Sequence, residues 1–307
     1  DEAYWTGRYA QVPEPLELPL DRARPRQRSF ASHRQDRILD GELVSAIKRA
    51  GAARGASLFA SLLTMFGVLL QRISGQNDLV VGIPAAGQAS TDHPGLVGHA
   101  VNVLPLRLQL DPEATLGDVI GKLRGDLLDA FEHQRYTFGT LLRRLALSRD
   151  PGRLPLVAVL FNLDPGLDDA MLGFKDLAAS FGGVPRHYEN FEIFVNAVQV
   201  GPALRLECQY NTDLFDQATI ARWLDLYQTL LGDLAGNMEN AISALPLLST
   251  SALAELRALQ PEPSAYNRSC RIESLIFAQG ERTPDAIALE FADVRWTYAQ
   301  LIARARA

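Results

Sequence analysis

Cysteine is scarce here: the 307 residues include two, Cys208 and Cys270. They lie far apart, in different kinds of segment. That excludes a disulfide framework or a zinc site built on cysteine spacing and points to a reducing, cytoplasmic setting. Histidine is sparse too. The five are His33, His93, His99, His133 and His187; none adjoins another and no pair has metal-ligand spacing, so no metal is expected. There is no G-x-S-x-G elbow, G-x-G-x-x-G turn, P-loop or H-E-x-x-H. Cations are not in excess either. The net charge of −6 argues against nucleic acid, because phosphate binding needs clustered Lys and Arg. No apolar run reaches the ~20 residues that cross a membrane. Residues 57–73 come closest, but Ser57 and Gly75 bound them and Gln71 and Arg72 interrupt them. The start has no initiator Met and no signal-peptide profile, and the sequence stops within a helical pattern, so both ends are expected to be cut from something longer.

What is present suits a folded core: 47% of residues are hydrophobic and 21% charged, ordinary for a globular protein. Residues 13–28 are rich in Pro and Arg without a steady period and read as an extended lead-in. From Asp40 the pattern becomes helical, with Leu43, Ile47 and Ala50 on one face. Residues 57–73 predict a helix apolar nearly all round and therefore deeply buried. Leu79 to Ile83 form a short apolar run between turn signals, a strand buried on both faces. Residues 101–110 predict a second strand, in which Pro105 demands an edge or a bulge.

Thr115 with Asp118 gives a capping-box-like start to a helix striped by Leu116, Val119, Ile120, Leu123, Leu127 and Phe131. A short helix is expected at 138–145, a strand at 156–163, and a hairpin of 188–200 and 203–211 around Gly201-Pro202. Asp216 should cap a helix running to about residue 235. After Leu248 the texture loosens, with a short helical stretch at 251–259 and then Pro261-Glu262-Pro263-Ser264, as in a linker. A new apolar cluster begins near Ile272. The fold class is α/β, a mixed sheet flanked by helices.

Four strings carry a resemblance. Tyr4-Trp5 with LPLDRARP at 18–25 resembles "YW … LPTDRPRP". VGHAVNVLPLR at 97–107 resembles "(V/I)GxFVNTLxLR". HQRYTF at 133–138 resembles "HQDYPFE", and RDPGRLPL at 149–156 resembles "RDxSRNPL". A softer match is YNTDLFD at 210–216. In this order they resemble the C-terminal half of the condensation domains of nonribosomal peptide synthetases, over about residues 4–248. TPDAIAL at 283–289 and WTYAQL at 296–301 resemble the opening of an adenylation domain. The expected organisation is a chloramphenicol-acetyltransferase-like C-terminal lobe at 1–248, a linker at 249–271 and a truncated adenylation start at 272–307. Departures from the family are Gln88, Arg135, Thr137, Gly152 and His99, where an aromatic residue is usual.

The resemblance implies amide formation between a donor thioester and an aminoacyl acceptor, each on a carrier-protein phosphopantetheine arm, with no cofactor bound directly. It implies as partners the N-terminal lobe of the same domain, an adenylation domain, and donor and acceptor carrier proteins. The family's His-His-x-x-x-Asp-Gly motif is absent, so no catalytic residue is expected and the piece alone should be inactive. Residues near the tunnel would be Gly82, Ile83, Pro84, Asn102 and Arg107, with the loop 84–98 in its floor. Asn102 and Arg107 have a structural reading as well, as ties between a strand and its neighbours. Residues 174–187 are the expected crossover onto the missing lobe. Two other readings differ in class: a non-catalytic docking platform, and a free-standing acyltransferase of the same fold, which the adenylation-like tail disfavours.

Overall fold

The structure is a computed structural model that describes residues 1–87, 97–147, 150–166, 183–234, 236–260 and 270–307. It divides into two compact units, Asp1–Ala252 and Leu253–Ala307, each taken by itself below.

The first unit is built on a six-stranded sheet. In chain order its strands are β1 (Ser32–Leu39), β2 (Asp78–Ala86), β3 (Val101–Gln109), β4 (Val159–Asp164), β5 (Ile193–Val200) and β6 (Ala203–Asn211). Their order across the sheet is β1-β6-β5-β4-β2-β3. β4 runs parallel to both β2 and β5, and every other pairing is antiparallel. The sheet is mixed, as the sequence predicts, and β2 is buried on both faces. β3 lies at an edge, the position that Pro105 requires.

The helices of this unit are α1 (Glu2–Arg8), α2 (Gly41–Ala52), α3 (Leu58–Ser74), α4 (Leu116–Glu132), α5 (Phe138–Leu145) and α6 (Gln217–Asp233). α3 is the centre of the core and is buried without a break from Ala60 to Gln71. The Ser57 side chain accepts from the Ala60 N–H at its start, and Gly75 ends it at φ 74°, where a side chain would be strained. Phe66 of α3 packs 5.1 Å from Phe161 of β4, and Tyr227 of α6 donates to the Leu62 carbonyl at 2.7 Å. Helices α2, α3, α4 and α6 thus lie on one face of the sheet.

In α2 Ile47 is fully buried with Leu43 and Ala50 packed against the same core, as expected, and Val44 and Gly51 are buried as well. Some expectations needed correction. Phe131 at the end of the α4 stripe is 37% exposed, and Ala130 is buried instead. Thr115 caps α4 by accepting from the Asp118 N–H at 3.1 Å, but Asp118 bonds the Thr115 hydroxyl rather than its backbone; the aspartate side chain is too short for the reciprocal box. β5 begins at Ile193, later than the predicted 188. Asp216 does not cap α6 with its own side chain. Asp21 of the lead-in ties down the start of α6, accepting from the Asp216 N–H at 2.8 Å and the Thr219 hydroxyl at 2.9 Å.

The second unit holds α8 (Ile272–Arg282), a hairpin of β7 (Ile287–Phe291) and β8 (Val294–Thr297), and α9 (Tyr298–Arg306). α7 (Thr250–Ala258) spans the boundary between the units. Thr297 and Gln300 form a reciprocal capping box at the start of α9.

Candidate functional site

The five residues singled out from the sequence lie on two paired strands. Gly82, Ile83 and Pro84 of β2 stand opposite Pro105, Leu104 and Val103, and Asn102 and Arg107 of β3 stand opposite Ala85 and Val80. Ile83 is fully buried on the helix-covered face. Gly82 faces the other way, where a Cβ would come within 2.6 Å of Leu160 Cδ1 and 2.7 Å of Val157 Cγ1. That crowding explains a glycine in an otherwise branched run.

Asn102 is saturated. Its Nδ2 donates to the carbonyls of Gln134 at 2.9 Å and Tyr136 at 3.1 Å. Its Oδ1 accepts from the N–H groups of Val103 and Phe138, both at 3.0 Å. One carboxamide therefore spends its full hydrogen-bonding capacity on joining β3 to residues 134–138 and the start of α5. The buried Trp5 holds the same loop, donating from Nε1 to the His133 carbonyl at 2.9 Å. His133 stacks on Tyr4 with ring centroids 4.3 Å apart, and its Nδ1 lies 3.0 Å from Asp1 Oδ1.

Arg107 commits four of its five N–H donors in a similar way. It forms a bidentate pair with Asp78, at 2.9 and 2.6 Å, and donates from Nη1 to the carbonyls of Arg8 at 3.0 Å and Gln11 at 2.7 Å. Donating to the Asp78 carboxylate raises its already high pKa further. In return, Arg8 donates to the Arg107 carbonyl at 3.1 Å and the Tyr9 hydroxyl to the Pro105 carbonyl at 2.7 Å. The free edge of β3 is thereby occupied by α1 and the residues after it, which removes a surface for strand pairing. Burial raises the Tyr9 phenol well above its usual range.

The motif strings meet in two places. Tyr4-Trp5, the β3 string and HQRYTF converge around Asn102. At the other end of β4, the lead-in meets residues 150–156: Arg24 donates to the Gly152 carbonyl at 3.4 Å, the Arg28 N–H to the Pro151 carbonyl at 3.0 Å, and Arg153 pairs with Glu17 at 2.6 Å. Arg24 grips Glu192 with both terminal nitrogens, at 2.6 and 3.2 Å, in a largely buried pair. Sequence reasoning missed the roles of Asp78, Tyr9, Asp21 and Glu192, whose partners are remote in sequence. Two had a visible signal: Asp78 closes the turn before β2, and Asp21 stands within the string at 18–25.

Two expected segments fall largely outside the described residues. Of loop 84–98, residues 88–96 lie outside; residues 84–86 belong to β2, and the Gly87 N–H donates to the Ala100 carbonyl at 2.8 Å. Of crossover 174–187, residues 174–182 lie outside. Residues 183–187 run beside β1: the Ser32 N–H donates to the His187 carbonyl at 2.9 Å and Arg34 to the Gly183 carbonyl at 3.2 Å. Among the described residues no cluster of three His, Cys, Asp or Glu could hold a metal ion, and no helix is long and apolar enough to cross a membrane.

Comparison with known proteins follows the same outline. Surfactin synthase subunit 1 of Bacillus subtilis (strain 168) is 32% identical over 306 residues, which cover 99% of this chain and 8% of that protein. Bacitracin synthase 2 of Bacillus licheniformis is 30% identical over 308 residues, covering 98% of this chain and 12% of that protein. The chain thus spans about a tenth of the length of these relatives. Among solved structures, a four-domain nonribosomal peptide synthetase in its holo form, bound to AMP and glycine, matches with a TM-score of 0.78 at 21% identity, covering 99% of this chain and 25% of that one. The first condensation domain of the calcium-dependent antibiotic synthetase, with a substrate analogue, matches with a TM-score of 0.64 at 22% identity, covering 80% and 53%. At these identities the likeness to solved structures is one of fold. The family model described as Condensation domain matches residues 1–256, and the chain belongs to that family.

Proposed function

We propose that residues 1–248 are the C-terminal lobe of a condensation domain in a nonribosomal peptide synthetase, followed by a linker at 249–271 and the opening of an adenylation domain at 272–307. The parent domain joins a donor acyl or peptidyl thioester to an aminoacyl acceptor, each delivered on the phosphopantetheine arm of a carrier protein in the cytoplasm. The observation that carries the reading is the missing histidine pair. A member of this family whose sequence holds no two adjacent histidines has its catalytic motif elsewhere. A difference in coverage supports the tail assignment: the single condensation domain covers 80% of the chain, the four-domain synthetase 99%.

The chemistry asks little of this lobe beyond shape. An aminoacyl amine of moderately low pKa attacks a thioester readily once the two are dry and aligned, so positioning supplies much of the rate. The absent histidine would orient or deprotonate that amine. β2 and β3, with Gly82, Ile83, Pro84, Asn102 and Arg107, would form a rigid wall of the tunnel. Asn102 and Arg107 act there by holding strands and loops, since their hydrogen bonds are already committed to protein groups.

The test is complementation. Joining the chain to the roughly 170 residues encoded immediately upstream, about one domain's worth, should restore amide formation between loaded carrier proteins. Substituting the second histidine of an upstream His-His-x-x-x-Asp-Gly should abolish it. A joined protein that carries an intact motif, folds and yields no amide would overturn the proposal in favour of a docking platform.

A further inference from the structure

The string at 149–156 ends in a backbone turn that suits leucine poorly. Leu156 has φ 66°, and the Val157 N–H donates to the Pro155 carbonyl at 2.8 Å. A hydrogen bond from one residue back to the second before it, across a residue of positive φ, makes a γ-turn of the rare, strained hand. A Cβ is crowded there, and glycine alone escapes the cost. Among the described residues, the other non-glycine residues of positive φ end a helix, Ala146, or turn a hairpin, Ala292. Leu156 does neither.

Both ends of the turn are fixed. Before it, the Arg28 N–H holds the Pro151 carbonyl at 3.0 Å. Gly152 is buried so closely that a Cβ there would come within 2.8 Å of the Pro25 carbonyl oxygen. After it, the Ala158 carbonyl accepts from the Glu192 N–H at 2.9 Å, and Val159 is held in register by Val81 of β2 and Ile193 of β5. Leu156 is itself half-buried and packed against the core. Anchors on both sides therefore impose the strained conformation, as such conformations require.

The turn delivers Val157. This residue is 1% exposed, and its Cγ1 lies 2.7 Å from the point that a Gly82 Cβ would occupy. We propose that Leu156 is a positioning residue for amide formation: its strained turn seats Val157 against Gly82 and so fixes the stretch of β2 assigned to the tunnel wall. This rests on the reading of the chain as part of a condensation domain. Leu156 touches no substrate in this scheme and acts through Val157 and Gly82. A relaxed turn lets Val157 draw back and β2 follow it. Misplacing reacting groups by ~1 Å through a remote change can cost about 10²-fold in rate.

The experiment compares Leu156→Gly with Leu156→Ala. Both lose the side chain, but only glycine relieves the turn. In urea unfolding of the 307-residue chain, Leu156→Gly should have a folding equilibrium constant at least about fivefold above that of Leu156→Ala. At an unstrained position the order is the reverse, because glycine gains more chain entropy on unfolding. In the protein joined to its upstream residues, Leu156→Gly should lower kcat at least about tenfold and leave KM for the loaded carrier proteins within about twofold. Leu156→Ala keeps the turn and should retain kcat within about threefold of the unmodified protein. Stability and turnover thus rank the two variants in opposite orders, whereas a merely structural role ranks them in the same order. The stability order is read even where Leu156→Ala does not fold, and the loss in Leu156→Gly is measured against the unmodified joined protein. Leu156→Ala as stable as Leu156→Gly, or kcat that follows stability, would overturn the proposal. Failed complementation with Leu156 in place would remove the functional reading and this proposal with it; successful complementation with unchanged kcat in Leu156→Gly would remove this proposal alone.

Discussion

The units Asp1–Ala252 and Leu253–Ala307 use apolar side chains in opposite ways. In the first, Trp5, Leu62, Met65, Phe161 and Leu230 are each at most 1% exposed, within one contiguous core. In the second, Gly280 is the one buried residue in an element among the described residues, while Ile272, Leu275, Ile287, Phe291 and Val294 remain open. Polar groups divide the same way. The Arg24–Glu192 pair of the first unit has side chains 14% and 8% exposed, and the Arg295–Glu290 pair of the second 66% and 54%. The first unit closes its own core. The second has regular elements and a well-made cap, but leaves its larger apolar side chains open.

The comparison predicts unequal responses to equal substitutions. Phe161→Ala should destabilise the first unit by about 3–5 kcal/mol in urea unfolding, through lost burial and a residual cavity. Phe291→Ala, at a side chain 78% exposed, should change stability by no more than about 0.5 kcal/mol. A large effect at Phe291 would mean that the second unit hides a core. Among ion pairs, Arg24→Met strands a buried carboxylate and should cost about 3 kcal/mol. Arg295→Met should cost less than about 1 kcal/mol, measured in the same way.

Asn102→Leu should cost about 1–3 kcal/mol by leaving the Gln134 and Tyr136 carbonyls and the Phe138 N–H unpaired. It should also speed amide exchange at residues 134–138. Those outcomes separate a clamp from a group held ready for substrate, whose removal would lower turnover and leave exchange unchanged.

The two cysteines extend the contrast. Burial pushes the Cys208 thiol up to about 12 and raises the Tyr227 and Tyr9 phenols as well. Each group binds its proton more tightly folded than unfolded, so its stabilisation is full below the unfolded pKa. For Cys208 it is lost as pH rises from about 9 toward 12. The melting temperature should fall through that window, and Cys208→Ala should flatten the first part of the fall. At pH 8 Cys270 should react with iodoacetamide while Cys208 stays unmodified until the chain unfolds.

Much of the first unit was legible in the sequence because its signals are local. The cap residues Ser57 and Gly75, the apolar run of β2 and the alternation in β6 each specify an element within a few residues. β1 was not legible. It is a polar edge strand in which Ser32 and Leu39 alone are buried, and eight pairings with β6 hold it in place. α1 is too short to display a period. Of the site, the strings containing Asn102 and Arg107 stood out, but what those side chains do did not. Apart from the Val103 N–H, their partners lie 29 to 99 residues away, and no spacing rule reaches that far.

The most direct measurement is an amide-forming assay on the chain alone, with donor and acceptor carrier proteins loaded with their thioesters. The account predicts no amide product above the rate of the carriers by themselves, because the histidine pair is not in these residues. Clear turnover by the chain alone would contradict it and place the catalytic group within these 307 residues.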